Sequence, residues 1–187
     1  MWTLRFLCIT LLLTPLRRVT GLNLVSAFRR MMGLYAFFYG TLHFSTYLIL
    51  DRFAGLVDYP GGMISFTTAK RIIASSIGDI SMRPFITIGF SAFILMVPLA
   101  ITSTKGWIRR MGGKKWAALH RLVYASGILG VVHYWWLVKA DVSRPQTYAA
   151  IVAVLLGARL YYKYKKSQSV AAGRASVPAS AKASTDS

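Results

Sequence analysis

The sequence contains no glutamate, one cysteine and three histidines, and each scarcity narrows what the chain can be. A lone Cys8 excludes an internal disulfide, and with no CxxC pair or Cys/His zinc pattern, any metal chemistry falls to histidine. Five aspartates stand against 23 lysines and arginines. In a soluble protein that imbalance would point to nucleic acid. Here the basic residues cluster between apolar runs, which assigns them to membrane topology and anionic lipid and leaves nucleic acid without support. What the chain has in quantity is apolar sequence: 55% hydrophobic residues and a mean hydropathy of +0.49, gathered in runs rather than in periodic stripes. It reads as an integral membrane protein of the all-α class.

Five runs follow one another. Residues 2–16 are short for a full span, about 22 Å as a helix, and carry Arg5. A signal peptide is the competing reading, but TPLRR lacks small residues at cleavage positions and puts its positive charge on the wrong side, so an uncleaved helix is expected. Residues 31–50 form the next span, with Gly33 and Gly40 as points of close helix approach. Pro84 opens a third span over 84–102, expected to kink or end near Pro98. Residues 116–138, WAALHRLVYASGILGVVHYWWLV, are long enough at about 35 Å to cross a bilayer as a single helix. A last run covers 146–162. Between spans two and three, YPGG at 59–62 marks a turn, and Ile64, Phe66, Ile72, Ile73, Ile77 and Ile80 fit an interfacial helix or re-entrant turn. The membrane domain is expected over 1–166, with 167–187 as a disordered Ala/Ser/Lys-rich tail.

The connectors alternate in charge. Those at 17–30 and 103–115 are basic and free of acid, while 51–83 and 139–145 are mixed. The positive-inside rule puts the first pair and the tail in the cytoplasm, giving five spans with an external N-terminus.

Orientation fixes depth. The spans holding His43 and His133 both run outward from the cytoplasm, about 18 Å and 25 Å from their starts, so both imidazoles fall in the outer half of the membrane. Two neutral imidazoles on parallel helices at one depth suit the axial ligands of one haem iron. Zinc or copper would want further ligands that the spans lack. His120 lies about 20 Å below His133, toward the cytoplasm, where it suits a second redox group. No histidine matches it on the other span, where Arg29 and Arg30 stand ready for a propionate or phosphate. On an ideal helix His120 and His133 lie about 140° apart, so a shared face needs bending at Gly127 and Gly130. An interhelical hydrogen bond or a proton relay is the alternative role for each histidine. Trp135 and Trp136 read as interface anchors, and Tyr35, Phe37, Phe38 and Tyr39 as packing or lipid-facing residues.

Several motifs together, LLLTPLRR, RRMMGLYAFFYGTLHFSTY, RPFITIGFSAFILMVPLAITS, W-x-x-LHRLVY and HYWW, resemble the MsrQ (formerly YedZ) family over about residues 3–162. The resemblance implies a ferric-reductase-like transmembrane domain with b-type haem and FMN, in the bacterial inner membrane. It implies electron transfer from the quinone pool or a cytoplasmic flavin reductase to a periplasmic molybdopterin subunit, MsrP, which repairs methionine sulfoxide in oxidised proteins. The chain would then be an electron-transfer subunit rather than the catalytic one. The family's haem histidines fall on His43, His120 and His133. Family members usually have six spans, so one N-terminal helix and part of the next are expected to be missing here. Two rivals stand beside this reading. A ferric reductase or NADPH-oxidase-like carrier would need its electron source in a partner, since the chain has no G-x-G-x-x-G fingerprint and no room for a flavin and nicotinamide domain. A small transporter or assembly subunit would use its histidines only to relay protons or to pack.

Overall fold

The computed structural model describes residues 2–22, 24–53, 66–138 and 142–175, and every regular element among them is helical. Helix α1 (Trp2–Thr20) turns into α2 (Leu24–Thr46) through Gly21. Gly21 has φ 69° and donates its N–H to the Arg17 carbonyl at 3.0 Å. That left-handed conformation closes the end of α1 and is strained for residues with a Cβ. α2 passes directly into a π-helical segment, Tyr47–Phe53. After it come α3 (Phe66–Met82), α4 (Pro84–Ile101), α5 (Lys105–Met111), α6 (Gly113–Leu119), α7 (Leu122–Leu137) and α8 (Ser143–Ala175).

Local chemistry explains the boundaries. Pro84 occupies the first turn of α4 and drives Arg83 into extended backbone, φ −113° and ψ 102°, which separates α3 from α4. The helix expected to kink or end near Pro98 continues through it to Ile101. Gly112, φ 75°, parts α5 from α6. The interfacial segment is a helix from Phe66, whereas the turn expected at 59–62 lies outside the described residues. α8 runs on through Ala175, nine residues beyond Lys166, into the segment expected to be disordered. Ala171 and Ala172 favour helix, and extending an existing helix needs no new nucleus. The rest of the expected tail, 176–187, lies outside the described residues.

The 116–138 run departs from expectation. It is not one helix but two, because the backbone tightens at His120. Arg121, Val123 and Tyr124 donate their N–H groups to the carbonyls of Ala118, His120 and Arg121, the three-residue spacing of a 3₁₀ turn. α7 is left with 16 residues. Among the described residues, α4 alone is long and apolar enough by length and composition to cross a membrane.

α1 sits at the centre of the bundle. Leu4 and Cys8 pack with Val131 and Tyr134 of α7 and Val152 of α8, while Leu7 packs with Ala36 of α2 and Met96 of α4. Small residues set the approach distances. A Cβ on Gly40 would stand 3.5 Å from Phe93 and 3.6 Å from Thr3, and one on Gly127 or Gly130 would meet Leu11 or Leu4 at 3.5 or 3.6 Å. Gly127 and Gly130 therefore seat α1 leucines, and the bend expected at them lies upstream, at His120. Pro15 within α1 has no N–H for the Leu11 carbonyl. Arg159 of α8 supplies the missing donor, with Nη2 at 2.6 Å from that oxygen.

Candidate functional site

Of the three histidines that the sequence singles out, the helices bring two together. His43 lies near the end of α2 and His133 near the end of α7; their ring centroids are 6.3 Å apart and the planes meet at 68°. His133 is locked from behind. Its Nδ1 lies 2.7 Å from the Phe85 carbonyl, which can only accept, so Nδ1 donates there and Nε2 is the ring nitrogen left for another partner. Gly89, one turn along α4 from Phe85, makes room for the ring: a Cβ there would stand 2.6 Å from Nδ1 and 2.7 Å from Cε1. His43 is exposed at the protein surface and His133 half-buried.

His120 is held in the same manner at the other end of α7. Its Nδ1 donates to the Trp116 carbonyl at 3.1 Å, and its ring stacks on the Trp116 indole with centroids 3.9 Å apart. The indole in turn donates Nε1–H to the Thr102 carbonyl at 2.8 Å, tying the turn to the end of α4. His120 Nε2 is buried and makes no hydrogen bond of standard geometry, while the Leu99 backbone acts on the ring as a second hydrogen-bonding group beside Trp116.

Arg29 acts electrostatically on His120. Burial and the neighbouring Arg17 hold the Arg29 guanidinium below the ordinary arginine range, with Tyr124 opposing the shift. Arg30 is half-buried one position along α2 and takes no part in these contacts.

The residues fit a haem at the outer pair. With ring centroids 6.3 Å apart, the two imidazoles would be the residues to hold one haem iron. A backbone carbonyl on the second ring nitrogen is the usual way a ligating histidine is oriented. Among the described residues no three His, Cys, Asp or Glu side chains gather to hold a bare metal ion.

Comparison with known proteins agrees with this architecture. Residues 1–131 match the family described as ferric reductase like transmembrane component. Over 179 residues the chain is 49% identical to the protein-methionine-sulfoxide reductase heme-binding subunit MsrQ of Ralstonia nicotianae, a match covering 95% of this chain and 75% of that one. The chain belongs to the MsrQ family. MsrQ of Herminiimonas arsenicoxydans is 47% identical over 167 residues, covering 88% of this chain and 69% of its own, and MsrQ of Xanthomonas axonopodis pv. citri is 47% identical over 171 residues, covering 91% and 70%. Both the MsrQ relationship and the transmembrane family match make this a membrane protein. No solved structure matches the chain.

Within this chain, three features of the site escape inspection of the sequence. Gly89 gave no signal beyond being small, and the Phe85 carbonyl gave none. Trp116 reads as the start of a span rather than as the platform for His120. Arg159 is different: a guanidinium inside an apolar run is a functional candidate by that fact alone, and the rule that finds intramembrane histidines would have found it.

Proposed function

We propose that the chain is a haem b electron-transfer subunit of the bacterial inner membrane, with His43 and His133 as the axial ligands of one haem. The observation that carries the reading is the 6.3 Å separation of the two rings, with His133 Nδ1 committed to the Phe85 carbonyl. Bound haem supplies one-electron redox chemistry, which no side chain here provides. The chain's own residues do the rest. Phe85 and Gly89 fix the tautomer and plane of His133, and the aromatic packing of Phe44 with Phe90 and Phe93, centroids 5.7 and 5.4 Å apart, walls α2 against α4 beside His43.

His120 serves an inner haem or the FMN region implied by the resemblance, with Arg29 or Arg30 set for a propionate or phosphate. The electrostatic action of Arg29 on His120 supports that role and favours Arg29 over Arg30. Electrons enter on the cytoplasmic side from the quinone pool or a flavin reductase. They leave on the periplasmic side to a molybdopterin subunit of the MsrP kind, which reduces methionine sulfoxide in oxidised envelope proteins. The relatives' names, each a heme-binding subunit of a protein-methionine-sulfoxide reductase, support a haem carrier that serves a methionine-sulfoxide reductase.

The test is a reduced-minus-oxidised optical spectrum of the purified chain in nanodiscs, followed by stopped-flow mixing. Reduction by a quinol or by reduced flavin, then reoxidation on adding an MsrP-type subunit with methionine sulfoxide, is the expected result. A colourless protein prepared with haem available contradicts the proposal and leaves the transporter reading. A coloured protein reoxidised by ferric chelate but not by the MsrP-type subunit moves it to the ferric-reductase reading.

A further inference from the structure

One acid in this acid-poor chain joins the two elements that set the outer histidines. Asp79 lies in α3, and its side chain is 17% exposed. Its Oδ2 accepts the Tyr47 hydroxyl at 3.1 Å. Tyr47 stands one turn after His43, as the first residue of the π-helical segment. Toward α4, the Asp79 backbone carbonyl accepts the Arg83 N–H at 2.9 Å, and Oδ1 lies 3.7 Å from Arg83 Nε. Arg83 stands two residues before Phe85, whose carbonyl holds His133 Nδ1. The Thr87 hydroxyl, shared between the carbonyls of Ile80 and Arg83, fastens the same joint.

These contacts differ in what they decide. The Arg83 guanidinium is 58% exposed, so its charge contributes little, and the backbone bond with Thr87 keeps α3 on α4 without it. The Tyr47 bond spans 32 positions of sequence and carries the joint across to the His43 side. π-helical turns are rare and aim their side chains differently from the α-helix they interrupt, so a tertiary bond at Tyr47 fixes the course of the chain after His43. Phe44, beside His43, packs on Tyr47 with centroids 6.4 Å apart and on Phe90 and Phe93 of α4. The turn that holds His43 is thus clasped between Asp79 and α4. A ligating imidazole is oriented by what lies behind it, and that orientation tunes the metal it holds. Asp79 acts one step further back, setting the His43 turn against the α4 turn that orients His133.

We propose that Asp79 is a positioning residue for the outer site, clamping Tyr47 to the start of α4 so that the His43 and His133 planes keep the 68° angle at which they meet. The inference deepens the haem reading and rests on it for its spectroscopic test.

That test compares Tyr47→Phe, Asp79→Ala and Asp79→Asn with the parent, as haem-loaded full chains in nanodiscs. The readouts are haem per chain, the redox midpoint of the outer haem, and the g values of the low-spin ferric signal, which follow the angle between axial imidazole planes. Tyr47→Phe and Asp79→Ala should shift g values and midpoint in the same sense while haem is retained. Asp79→Asn keeps an acceptor oxygen without the charge and should stay close to the parent. Ser81→Ala, which removes only a local α3 bond to the Ile77 carbonyl, should change neither readout. Parental g values in both Tyr47→Phe and Asp79→Ala overturn the proposal. So does a shift common to Asp79→Ala and Asp79→Asn but absent from Tyr47→Phe, the pattern of a charge acting through space. If Asp79→Ala fails to fold, Tyr47→Phe alone decides.

Amide hydrogen exchange of the same preparations reads the clamp without using haem. In Tyr47→Phe, exchange should be about fivefold faster both at 44–50 and at 85–89, the scale of one lost hydrogen bond. Unchanged exchange at both segments overturns the clamp. A parent that takes up no haem, with this paired loss of protection in the variant, keeps the clamp and removes the haem reading.

Discussion

At the residue scale, Gly89 is the most sensitive point near the histidine pair. An alanine there puts a Cβ 2.6 Å from the His133 ring, and either the ring or α4 has to move. Overpacking of this kind costs about 1–3 kcal/mol, and movement of the ring breaks its bond to the Phe85 carbonyl. Gly89→Ala should therefore lose most of the low-spin haem absorbance while the protein still inserts and remains helical by circular dichroism; unchanged absorbance would show that the cradle does not matter. Trp116→Phe tests the inner histidine. It keeps an aromatic face for His120 but removes the Nε1–H bond to Thr102, and should shift the redox midpoint or spectrum of the inner group alone. The three histidines were legible in the sequence because hydrocarbon makes an imidazole conspicuous. Their supports were not, since a backbone carbonyl and the space left by a missing Cβ have no sequence signature.

At the scale of elements, the pairing of α4 with α7 positions His133, and Ser126 is the polar contact at its centre. Ser126 is fully buried and donates its hydroxyl to the Ala92 carbonyl at 2.9 Å. Interhelical bonds of this kind are worth about 0.6 kcal/mol in membranes. Ser126→Ala should thus lower stability only slightly in a denaturation assay, whereas Ser126→Leu, which adds bulk at a site with no free space, should separate α4 from α7 and release haem. The run at 116–138 shows where sequence reasoning stops. Its apolar character reads as a span, but the division at His120 goes with the stacking of His120 on Trp116 one turn earlier and the bond from the Trp116 indole to Thr102, and only the second of these joins two helices. Gly33 and Gly40 were readable as approach points because small residues in spans mean close packing wherever the partner comes from. The Arg159–Leu11 bond, spanning 148 positions of sequence, follows from Pro15 only once α8 is known to lie beside α1.

At the scale of the whole molecule, charge divides the chain into two ends. The acid-free connectors that the sequence assigns to the cytoplasm carry Arg29 and Arg18, and His120 belongs to that end; the His43–His133 pair belongs to the other. The single cysteine, Cys8, is buried, which gives a low background for thiol labelling. A cysteine at Lys114 should react with an impermeant maleimide only after the membrane is opened, and one at Ala74 of α3 should react in intact spheroplasts; the reverse pattern would invert the orientation. Membrane class was legible from composition, because the bilayer imposes continuous apolar runs; the orientation read from the connectors is what the labelling tests. The central position of α1 was not, because its short run and Arg5 make it the least span-like of the five.

The most direct measurement of the central assignment is low-temperature electron paramagnetic resonance of the oxidised protein, with haem quantified per chain, for the parent and for His43→Ala, His133→Ala and His120→Ala. Ligation by the His43–His133 pair predicts a low-spin ferric signal in the parent that disappears in both the His43 and His133 variants and survives in the His120 variant. A low-spin signal that persists in either of the first two would contradict it.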